Sequence, residues 1–226
     1  MAIIRAVLIG LVVSLAGQLP WSILVTLNLR SPHSPPWAAF VMAAYLILYW
    51  RYLNGWGWPK SNSLDRRKSF RACNLSPEVW FTAMPASVLA VAIAVALQSA
   101  FSKLVPMPAS KTPDVSDYAP FTLVLLLVMG GAVAGIAEEA GFRGYMQSMI
   151  ERAHGPVVAI TIVSVVFAAT HFTHGVANTL PRVPYYIVIS AIYGVLTYRT
   201  GSILPAMIIH GSGDALEYLL MWQKAS

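Results

Sequence analysis

The sequence predicts an all-α protein, a polytopic bundle of about seven transmembrane helices. Of its 226 residues, 57% are hydrophobic and 11% are charged, whereas an average soluble domain has about 45–50% and about 25%. Long uncharged stretches alternate with short charged ones, and a spanning helix needs about 20 mostly apolar residues. This composition excludes a disordered chain, a coiled coil and an ordinary soluble enzyme.

The uncharged stretches locate the predicted spans. Five of them hold 20 residues or more: 6–29, 31–50, 79–102, 118–137 and 153–181. Two shorter ones follow at 183–198 and 200–213. We therefore predict spans at residues 3–27, 37–53, 79–102, 119–153, 156–175, 184–199 and 203–222. The first could also be a secretory signal peptide, but its uncharged run exceeds the about 7–15 residues of a typical apolar region, so we interpret it as a span.

The basic residues predict the orientation of this integral, multi-pass chain. Residues 51–71 contain six basic residues and one acid, and short basic loops stay in the cytoplasm. The N-terminus is then cytoplasmic, and seven spans put the C-terminus outside. Nine of the 15 basic residues fall on the cytoplasmic side and five on the other, while Arg143 lies within a span. Basic residues in such a loop indicate contact with membrane lipid and not with nucleic acid.

A loop rich in proline, serine and aspartate, at residues 103–120, divides the chain into two unlike parts. The part at 1–117 holds N-terminal transmembrane helices and the basic loop. The part at 118–226 is predicted to be the catalytic core, because it holds the acidic and histidine residues of the spans. These are Glu138, Glu139, His171, His210, Asp214 and Glu217. Ionisable groups inside a bilayer are costly and indicate a functional site by default, although we expect Glu217 to be structural or interfacial.

Three polar clusters in the second part share a four-residue spacing, which puts two side chains on one helix face. They are Glu138-Glu139-Ala-Gly-Phe-Arg143, Phe167-Ala-Ala-Thr-His171 and His210-Gly-Ser-Gly-Asp214. Gly155 and Pro156 predict a turn between the fourth and fifth spans. Glu138 and His171 each lie about 16 residues from this turn, or about 25 Å along a helix. His210 lies about ten residues after a turn at Arg199–Gly201, or about 15 Å deep, and it reaches the same depth if residues 147–152 project from the bilayer. We therefore expect the three clusters to converge at one depth.

Each cluster also has a purely structural interpretation. Glu139 and Arg143 alone would form a buried ion pair. His171 alone would be a core histidine that donates to a backbone carbonyl, and the third cluster alone would join two helices by hydrogen bonds. Glu138 is explained poorly in this way, because it is a second carboxylate beside one that is already paired.

A carboxylate and two histidines around a small wet cavity can hold and deprotonate a water, directly or on a metal. Two histidines and a glutamate form a known catalytic zinc set. A divalent metal such as zinc on Glu138, His171 and His210 therefore stays open beside metal-free chemistry. The sequence contains no His-Glu-x-x-His and no Gly-x-Ser-x-Gly, which excludes a zincin-type site and argues against a serine nucleophile.

A proton-coupled transporter is the main alternative outside the enzymes, because buried Glu, His and Asp also form proton relays. Transporters often contain paired repeats with broken helices in both halves. In this chain the ionisable residues of the spans occupy one half only, which disfavours a transporter.

The three clusters, in this order on successive spans, resemble the CPBP family of intramembrane proteases. That family includes the type II CAAX prenyl endopeptidases and bacterial proteins linked to bacteriocin processing and self-immunity. Its pattern is Glu-Glu-x-x-x-Arg, then Phe-x-x-x-His, then His-x-x-x-Asn or Asp, and the adjoining Phe142-Arg143-Gly144 is also typical. The resemblance covers residues 120–220, whereas the first hundred residues carry nothing that matches.

The resemblance implies peptide-bond hydrolysis inside the membrane, on a membrane-associated protein or peptide, with prenylated substrates as one option. Glu138 would be the base that activates the attacking water, and His171 would help to hold that water. His210 and its partner in the third cluster would stabilise the oxyanion. Glu139 and Arg143 would orient this set.

Asp214 departs from the better-studied prenyl endopeptidases, which have Asn at this position. An ionised aspartate cannot donate a hydrogen bond to an oxyanion, so Asp214 is protonated, orients His210 or ligates a metal. A further alternative is a non-enzymatic immunity or scaffold protein that keeps the family fold. It predicts that Glu138→Ala leaves function intact.

Overall fold

The computed structural model describes residues 2–105 and 117–223, and their regular structure is helical, which confirms the predicted all-α class. The helices are α1 (Ala2–Asn28), α2 (Trp37–Leu53), α3 (Ser63–Phe70), α4 (Pro77–Leu104), α5 (Pro120–Glu139), α6 (Ser148–His154), α7 (Pro156–Thr170), α8 (Val176–Thr179), α9 (Val183–Thr200) and α10 (Leu204–Gln223). A π-helical segment (Ala140–Gln147) joins α5 to α6, and 3-10 turns lie at Lys60–Asn62, His171–His174 and Leu180–Arg182. Residues 106–116 of the loop predicted to divide the chain, including Lys111, and Lys224 lie outside the described residues.

Within the described ranges, five helical segments are long and apolar enough to cross a membrane. They are Ala2–Asn28, Pro77–Leu104, Pro120–His154, Pro156–Thr173 and Val176–Thr200. The other two predicted spans are also helices, but α2 has only 17 residues and α10 is less apolar because it carries His210, Asp214 and Glu217. The prediction of a polytopic helical bundle is therefore confirmed, with five of the seven spans supported by length and apolarity.

Proline and glycine set the predicted helix boundaries. Pro77, Pro120 and Pro156 begin α4, α5 and α7, where the missing backbone N–H costs nothing because the first helical turn has no acceptor for it. Gly155 follows α6 with φ +82° and Gly201 follows α9 with φ +69°, a backbone region that favours glycine. Both turns lie where the sequence predicts them.

The second part of the chain forms the centre of the bundle. Helix α5 packs along α10, α7 packs along α9, and α1 crosses α5, the π-helical segment and α6. Glycines allow the close α5–α10 contact, since a Cβ on Gly131 would lie 2.5 Å from the carbonyl oxygen of Gly211. This contact brings the first and third clusters together.

The basic loop packs against one end of this bundle. Arg71 forms a 2.7 Å ion pair with Glu151 of α6, and the hydroxyl of Ser202, in the turn before α10, donates to the carbonyl of Cys73 at 2.7 Å. The predicted topology requires these three regions to lie on one side of the membrane, and the contacts agree with it. Which side is cytoplasmic stays a prediction.

Candidate active site

A cavity of about 750 Å³ lies between α1, α5, α7, α9 and α10. Four of the predicted site residues contribute to its wall, namely Glu138, His171, His210 and Asp214. Glu139 and Arg143 lie behind this wall and are fully buried. The three clusters therefore converge, as the helix spacing predicts.

His210 is the centre of the site because it faces three carboxylates. Its Nδ1 lies 2.8 Å from Oε1 of Glu139, so this nitrogen carries a hydrogen and donates it to the carboxylate. Its Nε2 lies 3.8 Å from Oε2 of Glu138 and 3.7 Å from Oδ2 of Asp214. Both separations exceed a direct hydrogen bond. His210 is thus fixed at one nitrogen and presents the other between two carboxylates on the cavity side.

The Glu139–Arg143 ion pair anchors this arrangement from behind. Nη1 of Arg143 donates to Oε1 of Glu139 at 2.9 Å, and its Nη2 donates to the hydroxyl of Ser190 at 2.9 Å. Both charged side chains are 0% exposed, and buried charges need such pairing to be tolerated. Because Glu139 accepts hydrogen bonds from both Arg143 and His210, this carboxylate is committed to structure.

His171 lies immediately after α7, where the helix tightens into a 3-10 turn. Its Nδ1 donates to the carbonyl of Phe167 at 2.8 Å, so the neutral ring has Nε2 as an acceptor. The ring stacks on Tyr186 with centroids 3.9 Å apart. The Phe167 ring lies 4.8 Å from that of His171 and 6.1 Å from that of His210. His171 therefore makes the backbone contact of a structural histidine and also lines the cavity.

Sequence reasoning missed the contribution of α9. Tyr186 stacks on His171, Ser190 binds Arg143, and Tyr193 stacks on His210 with centroids 5.1 Å apart. Their spacing of four and three residues places them on one helix face. Because tyrosine and serine are common in transmembrane helices, this spacing did not single out the face as part of a site. Glu217, expected to be structural or interfacial, also borders the cavity.

The donor set considered for zinc is not arranged as a metal site. In residues 2–105 and 117–223, no group of three or more His, Cys, Asp or Glu side chains is positioned to hold a metal ion. The geometry gives no support to a metalloprotease.

The second part of the chain is similar to one protein-family model. The model of the Rce1-like type II CAAX prenyl endopeptidases matches residues 120–216. This part of the chain is similar to that family. The Rce1-like segment runs from the start of α5 into α10 and contains all three clusters, which confirms the resemblance found from the motifs. The family supports an intramembrane endopeptidase in general. No curated protein and no solved structure matched the chain.

Proposed function

We propose that this protein is an intramembrane endopeptidase in which Glu138 activates the water that attacks the peptide bond. The observation that carries the proposal is the unequal environment of two adjacent glutamates. Glu139 is 0% exposed and bound by Arg143 and His210, whereas the Glu138 side chain is 17% exposed at the cavity wall. Of these two glutamates, Glu138 is the one that is accessible and not bound by a cation, so it can take a proton from water.

The spacing between Glu138 and His210 suits a water as nucleophile. At 3.8 Å, Oε2 of Glu138 makes no direct hydrogen bond to Nε2 of His210, so the carboxylate can accept a hydrogen bond from a water while Nε2 faces the carbonyl oxygen of the peptide. Glu138 takes a proton as the water oxygen bonds to the peptide carbonyl carbon, and the carbonyl oxygen becomes the oxyanion. When the C–N bond breaks, Glu138 passes that proton to the leaving amine. His171, through Nε2, accepts from the same water.

Asp214 is better placed to donate a hydrogen bond to the oxyanion than to orient the ring of His210. Orientation is already provided by Glu139 at Nδ1, whereas Asp214 approaches Nε2 on the cavity side. A protonated Asp214 donates a hydrogen bond as an asparagine does. Together with Nε2–H of His210, when that ring is protonated, it would stabilise the developing negative charge on the oxygen.

The substrate is a membrane-associated protein or peptide. Glu138 lies in a helix that is long and apolar enough to span the bilayer, so the scissile bond must reach the site from within or beside the membrane. A prenylated protein is one option in this class, as the family name indicates.

Comparing new peptide termini in membranes that carry wild type or Glu138→Gln tests the proposal. Gln keeps the size and hydrogen bonding of Glu138 but removes the base. We expect a set of termini with wild type that is missing with Glu138→Gln. The matched control is Glu78→Gln, at an exposed glutamate in the first turn of α4, which should release the wild-type termini. Equal termini from Glu138→Gln and wild type, at equal abundance, would refute the protease and favour a transporter or scaffold.

A further inference from the structure

Helix α9 carries none of the three motifs, yet one of its faces contacts each of them. Tyr186, Ser190 and Tyr193 follow one another at intervals of four and three residues, which places them along one side of the helix. Ser190 is 0% exposed and Tyr193 is 5% exposed. Tyr186 is half-buried at the cavity wall. This face is directed at the interior of the bundle.

Each residue of this face contacts a different cluster. Tyr186 lies over His171 with centroids 3.9 Å apart and planes inclined by 25°. Tyr193 lies over His210 with centroids 5.1 Å apart and planes inclined by 21°. Between them, Ser190 accepts a hydrogen bond from Arg143. The planes of each pair are close to parallel, so each tyrosine ring is stacked on the face of an imidazole.

A stacked ring supplies a restraint that a hydrogen bond does not. The bond from Nδ1 to a carbonyl or carboxylate holds one atom of an imidazole, while the ring torsion of histidine is broad. A ring that lies parallel to the face of the imidazole restricts rotation about the bond between Cβ and the imidazole ring. Catalytic groups must be held within about 0.5 Å and about 10–20° of their productive geometry, so the orientation of both ring planes matters.

We propose that Tyr186 and Tyr193 are positioning residues that set the ring planes of His171 and His210. The inference rests on the proposed function, because it assigns the tyrosines a role in that same reaction. They act through their rings and not through their hydroxyl groups. Replacement by Phe should therefore preserve the reaction, and replacement by Leu should impair it.

The test measures kcat and KM in proteoliposomes on a peptide that contains a cleavage site found in the comparison of termini. For Tyr186→Leu and Tyr193→Leu we expect kcat to fall about tenfold or more, with KM within about twofold of wild type. Tyr186→Phe and Tyr193→Phe should stay within about twofold of the wild-type kcat. The matched control is Tyr198→Leu, at a tyrosine of the same helix that is 46% exposed, and it should leave kcat unchanged.

Three outcomes would overturn the inference: Phe variants as impaired as Leu variants, a rise in KM at unchanged kcat, or a loss no larger than that of Tyr198→Leu. If the buried Tyr193→Leu fails to fold, the half-buried Tyr186 series decides. A folded Glu138→Gln that cleaves the peptide like wild type would instead mean that the proposed function has failed. An inactive Glu138→Gln beside a fully active Tyr186→Leu would refute the positioning role alone.

Discussion

Glu138 and Glu139 are neighbours in sequence but have opposite environments. Helix geometry turns adjacent side chains by about 100°, so one carboxylate reaches the cavity and the other points into the packed interior. The four-residue spacing predicts the pairing of Glu139 with Arg143, and the structure has that pair at 2.9 Å. The contact from Glu139 to His210 spans 71 residues, and no local pattern could specify it.

Glu139→Gln is expected to destabilise the protein far more than Glu138→Gln. Removing the carboxylate leaves the fully buried Arg143 without its counter-charge, and breaking a buried ion pair costs about 3–5 kcal/mol. The double variant Glu139→Gln with Arg143→Met removes both charges and should recover part of this loss. Thermal unfolding in detergent measures all three variants. Equal unfolding midpoints for Glu138→Gln and Glu139→Gln would contradict the anchoring role.

Asp214→Asn is expected to retain activity, whereas Asp214→Leu should lose it. Asn is a permanent hydrogen-bond donor of the same size, while Leu has a similar volume and no donor. Removing one oxyanion donor typically lowers kcat by about 10²–10³-fold. The rate of peptide cleavage by the two purified variants provides the measurement. If both variants were equally inactive, the carboxylate itself would be required and the donor role would be wrong.

At the scale of helices, the sequence predicts the elements well and their contacts poorly. Apolar length identifies α1, α4 and α7 because backbone groups in lipid must be satisfied within each helix, and proline and glycine mark where these helices begin and end. The closeness of α5 to α10 depends on several small residues in combination. The contribution of α9 depends on which of its faces meets α7 and α10. Neither pairing follows from one stretch of sequence.

Gly135→Ala is expected to impair catalysis by moving α10 away from α5. An added Cβ would lie 2.6 Å from the carbonyl oxygen of Met207 and 2.8 Å from Cα of Gly211, so the helices must separate. Because Glu138 and His210 lie on these two helices, we expect kcat to fall by about tenfold to a hundredfold. The matched control is Gly213→Ala, since the described residues leave open space around a Cβ there. Measuring kcat for both variants tests this prediction, and equal kcat values would contradict it.

At the scale of the whole molecule, the first part of the chain packs around the candidate active site, although it contains none of the three clusters. Helix α1 covers α5 and the π-helical segment, and Gln18 and Trp21 contribute to the wall of the cavity. The basic loop holds the ends of α6 and α10 through Arg71 and Cys73. The count of basic residues predicts on which side of the membrane this end of the bundle lies. The contacts of Arg71 and Cys73 could not be predicted from the sequence.

The orientation of the bundle can be tested with Cys73, the one cysteine in the sequence, which is exposed. Six basic residues between 51 and 71 should keep this loop in the cytoplasm. A membrane-impermeant maleimide should therefore label Cys73 in inside-out vesicles and not in right-side-out vesicles. The matched control moves the thiol to the other end of α1 and α2, as Cys73→Ser with Ser31→Cys, at an exposed serine. The control should show the reverse pattern. Labelling of Cys73 from the outside would invert the topology and place both chain termini on the sides opposite to those predicted.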